Sequence, residues 1–179
     1  IFAENLEKVE LSDFMKAVNR VEHILKRTES DELTYSLHVI IRYEIEKMIM
    51  NGNIDIMELP RIWNEKYEEY LGITPSNDTE GILQDVHWSG GSFGYFPTYA
   101  LGSAYGAQLL DAMKKDLDFE KVIGEENLKA INEWLKNKIH IYGATKTPDE
   151  LMNIATGKSF DASYFVEYLK NKFSKLYNL

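Results

Sequence analysis

The chain has 179 residues, 44% of them hydrophobic, and 29 acidic against 20 basic side chains give a formal net charge of −9. That length and apolar content suffice for a sizeable core in one domain or part of a larger one, while the acidic balance argues against nucleic acid and anionic membrane surfaces as partners. Cysteine is absent, which excludes disulfides, thiolate metal ligands and a cysteine nucleophile and makes a cytoplasmic location the expectation. No apolar run approaches the roughly 20 residues that span a bilayer. The opening Ile1-Phe2-Ala3-Glu4-Asn5 lacks the basic and apolar regions of a secretory leader, and with no initiator Met the chain is expected to be trimmed or partial.

In chain order, Ser12-Asp13 followed by Phe14, Ala17, Val18, Val21, Ile24 and Leu25 predicts an amphipathic helix over 12–26. A second helix is predicted over 30–51. Ser30 is its cap, Asp31 and Glu32 stand in its first turn, and Thr34, Leu37, His38, Ile41, Ile45 and Met48 share one face. His38 falls among these core positions and is read as a structural histidine with a hydrogen-bond partner. Gly52-Asn53 ends this helix, and Glu58-Leu59-Pro60 opens another, with Ile62, Trp63, Tyr67 and Tyr70-Leu71 inward up to Gly72. After a loop at 74–78 comes a glycine-jointed stretch, 81–96, which feeds a helix starting at Pro97. Further helices are predicted at 118–123, from Glu125 to Ile141, from Thr147-Pro148 to Gly157, and at 162–177. Neither period-two alternation nor an internal repeat is present, so the fold class is all-α, read as one compact helical unit.

The stretch from Gly81 to Tyr99 sets a His, two Tyr, an Asp and a Gln among glycines, a mixture unusual for a plain core segment. Its bland reading is a tight connection between helices, with His87 and the tyrosines as packing groups. Trp88 and Trp63 are assigned to packing.

Gly81, Gln84, Asp85, His87 and Trp88 match a G-x-x-Q-D-x-H-W signature, and Arg27 to Asp31 is similar to an I-R-x-x-A-D signature, with Ser30 in place of Ala and the leading Ile not matched. On these motifs the chain resembles the carboxypeptidase Taq family of zinc-dependent, largely helical carboxypeptidases. Tyr35-Ser36-Leu37-His38, Gly94 to Tyr99, Trp134-Leu135, Thr147-Pro148 and Tyr168-Leu169 extend the resemblance over nearly the whole chain.

The family's zinc motif is H-E-x-x-H, and none occurs here. His23, His38, His87 and His140 are far apart, so no metal ligand is expected in this chain. The resemblance implies a C-terminal portion of the enzyme, with zinc held upstream of Ile1. It implies a peptide with a free C-terminus as substrate, the N-terminal part of the enzyme as partner, and a homodimer. It also implies that His87, Tyr95 and Tyr99 donate to the oxyanion that forms as water adds to the peptide carbonyl, with the choice of tyrosine open. Arg27 is the candidate for the terminal carboxylate; an ion pair to Asp31 at i+4 is its alternative. Gln84 is assigned beside it on the substrate, and Asp31 and Asp85 behind them as supports, Asp85 holding an imidazole or Arg or else capping a helix. A non-catalytic helical module that binds peptides in the same cleft is the second reading.

Overall fold

The computed structural model describes residues 3–52, 54–124 and 127–179. The fold is all-α, and among the described residues there is no strand. Two compact units are distinguished, one formed by Ile1–Ala100 with Phe173–Leu179 and the other by Leu101–Lys172.

The first unit holds α1 (Ala3–Leu6), α2 (Leu11–Val18), α3 (Tyr35–Met50) and α4 (Leu59–Leu71). Its core is the seam of α3 and α4, where Ile41 and Ile45 meet Trp63, Tyr67 and Leu71, and the loop residues Leu25, Ile82 and Trp88 pack against it. Burying each large apolar side chain contributes about 1.5–3 kcal/mol. Trp63 and Tyr67 stack with centroids 5.0 Å apart. Pro60 sits in the first turn of α4, where its missing N–H costs nothing, and Gly72 closes the helix at φ 67°, a left-handed cap that disfavours a Cβ.

α3 departs from a simple amphipathic helix. Its buried residues include His38, Arg42 and Glu46, which at four-residue steps form one polar stripe on an otherwise apolar interior face. Such groups stay buried only where hydrogen bonds replace water, and beyond the His38 carbonyl on α3 itself the stripe's partners come from the glycine-jointed stretch and from α4.

Two expected elements differ. The helix expected over 12–26 stops at Val18, where Asn19 turns its side-chain amide onto the Met15 carbonyl. Beyond it the backbone finds distant partners: Val21 N–H donates to the Tyr177 hydroxyl, Glu22 N–H to Asp31, and the Leu25 carbonyl accepts from Tyr67. The expected cap Ser30 turns back to the Arg27 carbonyl. Asp31 closes the turn that leads into the helix, accepting from the N–H groups of Leu33 and Thr34 at 2.9 and 3.0 Å, and α3, whose N-cap is Thr34, starts five residues later than the expected 30. The expected Asn53 stop and Glu125 start lie outside the described residues.

The second unit holds most of α5 (Pro97–Asp116), α6 (Phe119–Gly124), α7 (Leu128–Lys138), α8 (Pro148–Thr156) and most of α9 (Ser163–Tyr177). Ala112, Met113, Trp134 and Ala155 form its core. The Trp134 indole N–H is satisfied by Asp116 at 2.8 Å. Buried Gln108 closes its amide on the Ser159 carbonyl and the Asp161 N–H. α8 begins with a complete capping box between Thr147 and Glu150.

Candidate active site

The site grows from α3 outward. Arg42, fully buried, donates from Nη1 to the His38 carbonyl and the Tyr67 hydroxyl, and from Nη2 to the Gln84 side-chain oxygen at 3.2 Å. Its Nε reaches Asp85 Oδ2 at 2.6 Å. Arg27, 6% exposed, donates from Nη2 to Asp85 Oδ1 at 3.0 Å and from Nη1 to the Tyr35 hydroxyl at 2.9 Å. Two guanidiniums thus share one carboxylate. Burial alone raises the Asp85 carboxyl, but the hydrogen bonds and charges of Arg27 and Arg42 outweigh it and hold it below its ordinary value. Burial likewise lowers the Arg27 guanidinium, and Asp85 with Tyr35 more than offsets this and raises it.

Tyr67 is the hub behind the arginines. Its hydroxyl donates to the Leu25 carbonyl at 3.1 Å and accepts from Arg42, so His38 Nδ1, also 3.1 Å away, must supply the proton of their bond. His38 therefore carries a proton on Nδ1. Burial, and then the positive charges of Arg42 and Arg27, push its pKa down to about 4. The other ring nitrogen, Nε2, is buried without a hydrogen-bond partner; as a bare lone pair it costs less there than a stranded N–H.

His87 follows Asp85 by two residues. Its Nε2 lies 3.1 Å from the Tyr99 hydroxyl, and its Nδ1 lies 3.8 Å from Asp85 Oδ1, beyond hydrogen-bond distance. Three rings enclose it: Phe96 at 4.5 Å, Tyr95 stacked at 5.9 Å and Tyr99 edge-on at 5.9 Å. Tyr95 is 50% exposed, the most accessible of the three rings around the histidine. The Arg27 guanidinium lies 4.7 Å from the Tyr99 ring centroid, a cation–π approach that ties the arginine to the histidine through one shared tyrosine. Pro97 opens α5 immediately after Phe96, so Tyr99 comes from a helix while Tyr95 comes from the loop before it.

Of the sequence-predicted residues, Arg27, Gln84, Asp85, His87, Tyr95 and Tyr99 lie within one connected network. Gln84 accepts from Arg42 and from the Arg27 backbone N–H, and donates to the Glu80 carbonyl. Asp31 stands apart: its oxygens are taken by Glu22, Leu33 and Thr34. The ion-pair partner of Arg27 is Asp85, not Asp31, because the late start of α3 puts residues 27 and 31 on a 3-10 turn and a loop where no helical i,i+4 face exists. Trp63 and Trp88 pack edge to face, and Trp88 also makes a hydrogen bond, to Glu46 at 2.7 Å. Arg42, Glu46 and Tyr35 were not legible as site residues by motif. The signal that could have found the first two is their spacing from His38, four and eight residues, on the helix's buried face.

A cavity of about 440 Å³ opens beside the network, lined by Lys26, Arg27, Thr28, Gln84 and Asp85 among others. A larger cleft of about 640 Å³ in the second unit, bordered by Asp111, Lys114 and Tyr164, shares no residue with it. Among the described residues no group of three or more His, Asp or Glu is gathered in a way that could hold a metal ion.

The helical fold has counterparts among known proteins. Residues 1–173 match the family model for carboxypeptidase Taq (M32) metallopeptidases. The chain is 49% identical over 172 residues to carboxypeptidase 1 of Bacillus subtilis (strain 168), covering 96% of this chain and 34% of that protein. It is 43% identical over 148 residues to thermostable carboxypeptidase 1 of Pyrococcus furiosus, covering 82% of this chain and 30% of that protein. The crystal structure of the M32 carboxypeptidase from Deinococcus radiodurans R1 superposes with a TM-score of 0.93 at 35% identity, over 99% of this chain and 36% of that one. The fold is that of the helical metallopeptidases it matches, and the chain belongs to the carboxypeptidase Taq (M32) family. It spans about a third of the length of the curated relatives it matches.

Proposed function

We propose that the chain forms the substrate-facing wall of a larger zinc-dependent metallocarboxypeptidase that releases single residues from peptide C-termini. Zinc, held by residues outside this chain, supplies Lewis-acid activation when bound. One observation carries this reading: Arg27 lies 4.7 Å from the Tyr99 ring, and Tyr99 lies 3.1 Å from His87. In a carboxypeptidase substrate the terminal carboxylate and the scissile carbonyl are one residue apart, roughly 3.3–3.6 Å along an extended chain. A carboxylate-binding cation and oxyanion donors must then be near neighbours.

The roles follow from position. Arg27 is the arginine for the terminal carboxylate, being the less deeply buried of the pair; Arg42 and Asp85 hold it in place, and Gln84 borders the same cavity. His87 donates from Nε2, the nitrogen that faces Tyr99, and the half-exposed Tyr95 brings a second hydroxyl. Donors of this kind, aimed where charge develops, contribute about 2.7–4 kcal/mol each to the transition state. A homodimer and a cytoplasmic setting belong to the same reading.

The test is metal analysis and hydrolysis on the complete polypeptide and on these 179 residues alone. The complete polypeptide should hold stoichiometric zinc and release C-terminal residues in a chelator-sensitive way, and the 179 residues alone should do neither. A complete polypeptide that binds peptides without metal-dependent hydrolysis would support the non-catalytic module in its place.

A further inference from the structure

Glu46 ends the polar stripe of α3 and is 4% exposed. Its Oε1 accepts the Trp88 indole N–H at 2.7 Å and its Oε2 accepts the Gly94 backbone N–H at 3.2 Å. These donors sit at the two ends of the tight loop 89–93. That loop is tied internally by Ser92 N–H on the His87 carbonyl at 2.8 Å and by Gly91 N–H on the Trp88 carbonyl at 3.0 Å. Phe93 stacks on Trp88, with rings 8° from parallel, and Gly94 then turns the chain at φ 76°, a left-handed conformation that disfavours a side chain. The next residue is Tyr95.

We propose that Glu46 is a positioning residue for the reaction: by holding Trp88 and Gly94 on its two oxygens it sets the path of residues 88–95, and with it the placement of Tyr95 against His87. The inference rests on the oxyanion role proposed above. Both donors point at one carboxylate, and this fixes why the residue is an acid. A glutamate offers two acceptor oxygens, whereas a glutamine of the same size offers one oxygen and one NH2, so one N–H would face another donor. An apolar residue would fill the space and avoid burying a charge, but would leave both loop ends unheld. Arg42, one turn earlier, fixes Gln84 and Asp85, so the stripe grips the segment before His87 and the loop after it. The histidine sits between these two grips.

The experiment is steady-state kinetics on the complete enzyme carrying Glu46→Gln, Trp88→Phe and both together, with thermal melts and hydrogen-exchange mass spectrometry over residues 88–96. Positioning predicts that Glu46→Gln lowers kcat by about 10²-fold, the scale of an ångström-sized misplacement, with KM little changed and faster exchange in the loop. In the Trp88→Phe background the glutamine oxygen can still accept Gly94 while its NH2 faces a ring, so the second substitution should cost far less than in the parent. A purely structural role predicts a lower melting temperature with kcat of the folded enzyme intact, or an equal loss in both backgrounds, and either result overturns the proposal. His87→Ala and Tyr95→Phe run alongside. Normal kcat in those two rejects the oxyanion reading itself, whereas impaired kcat in those two with normal kcat in Glu46→Gln rejects the role of Glu46 alone.

Discussion

Arg42 engages a single oxygen of Asp85, Oδ2, with a hydrogen bond from Nε at 2.6 Å and Nη2 in ion-pair contact at 2.5 Å, and this leaves Oδ1 for Arg27 at 3.0 Å. The carboxylate is 14% exposed and Arg42 is fully buried. Removing the carboxylate's charge leaves two guanidiniums crowded in a low-dielectric setting without their counter-ion. Asp85→Asn should therefore destabilise the protein by about 3–5 kcal/mol, the cost of breaking a buried pair by removing one partner. Denaturant unfolding measures it, and a loss well under 1 kcal/mol would show that water screens the pair.

Stability should also fall with acid over a defined window. His38 is held neutral in the fold, with its pKa lowered from 6.5 to about 4. Between those values the unfolded chain binds a proton that the folded chain does not, so stability rises with pH across the window and is lost as pH falls through it. The depressed Asp85 carboxyl adds stability that is present above its unfolded pKa and lost as pH falls through its folded one. Melting temperatures between pH 4 and 6.5 should thus decline on acidification. His38→Gln should flatten that slope, and an unchanged slope would show that His38 does not titrate with unfolding.

Tyr67→Phe isolates the hub. The hydroxyl donates to the Leu25 carbonyl and accepts from His38 and Arg42, so its loss leaves two buried donors and a part-buried carbonyl without this partner while the ring keeps its stack on Trp63. A cost of about 1–3 kcal/mol is expected from unsatisfied groups of this kind. Hydrogen exchange should quicken over residues 20–27, which lean on side chains for their backbone partners.

Where the sequence could be read, the signals were local. Pro60 and Gly72 bracket α4, and the Thr147–Glu150 box starts α8; each is a contact between residues at most four apart. The reading failed where partners come from far along the chain. Val21, Ile24 and Leu25 carry a helical period, yet Tyr177, Asp31 and Tyr67 take the backbone groups of that segment in an extended course. Arg42 and Glu46 went unmarked because a charged residue beside an apolar face reads as solvent-exposed, and only the folded loop at 84–94 supplies the groups that let them be buried. Gln84, Asp85 and His87 stood out through their motif, but the sharing of Asp85 between two arginines is a tertiary fact.

Arg27→Ala tests carboxylate recognition in the complete enzyme. Hydrogen bonds to a charged group contribute about 1.5–3 kcal/mol, so kcat/KM should fall by roughly ten- to a hundredfold for peptides with a free C-terminus. Amidated peptides, which present no terminal charge, should lose much less. Equal losses on both would reject the role and leave Arg27 as a support for Asp85.

The most direct measurement is kcat and KM for His87→Ala and Tyr95→Phe in the zinc-loaded complete enzyme, with thermal melts on the same samples. Donation to the developing oxyanion belongs to the transition state, so both variants should lose about 10²–10³ in kcat with little change in KM. Tyr95→Phe should melt close to the parent temperature, because the half-exposed ring is retained and only its hydroxyl is lost. If the two residues merely pack, His87→Ala lowers the melting temperature while folded enzyme turns over normally; normal kcat in both variants would contradict the placement of His87 and Tyr95 in the reaction.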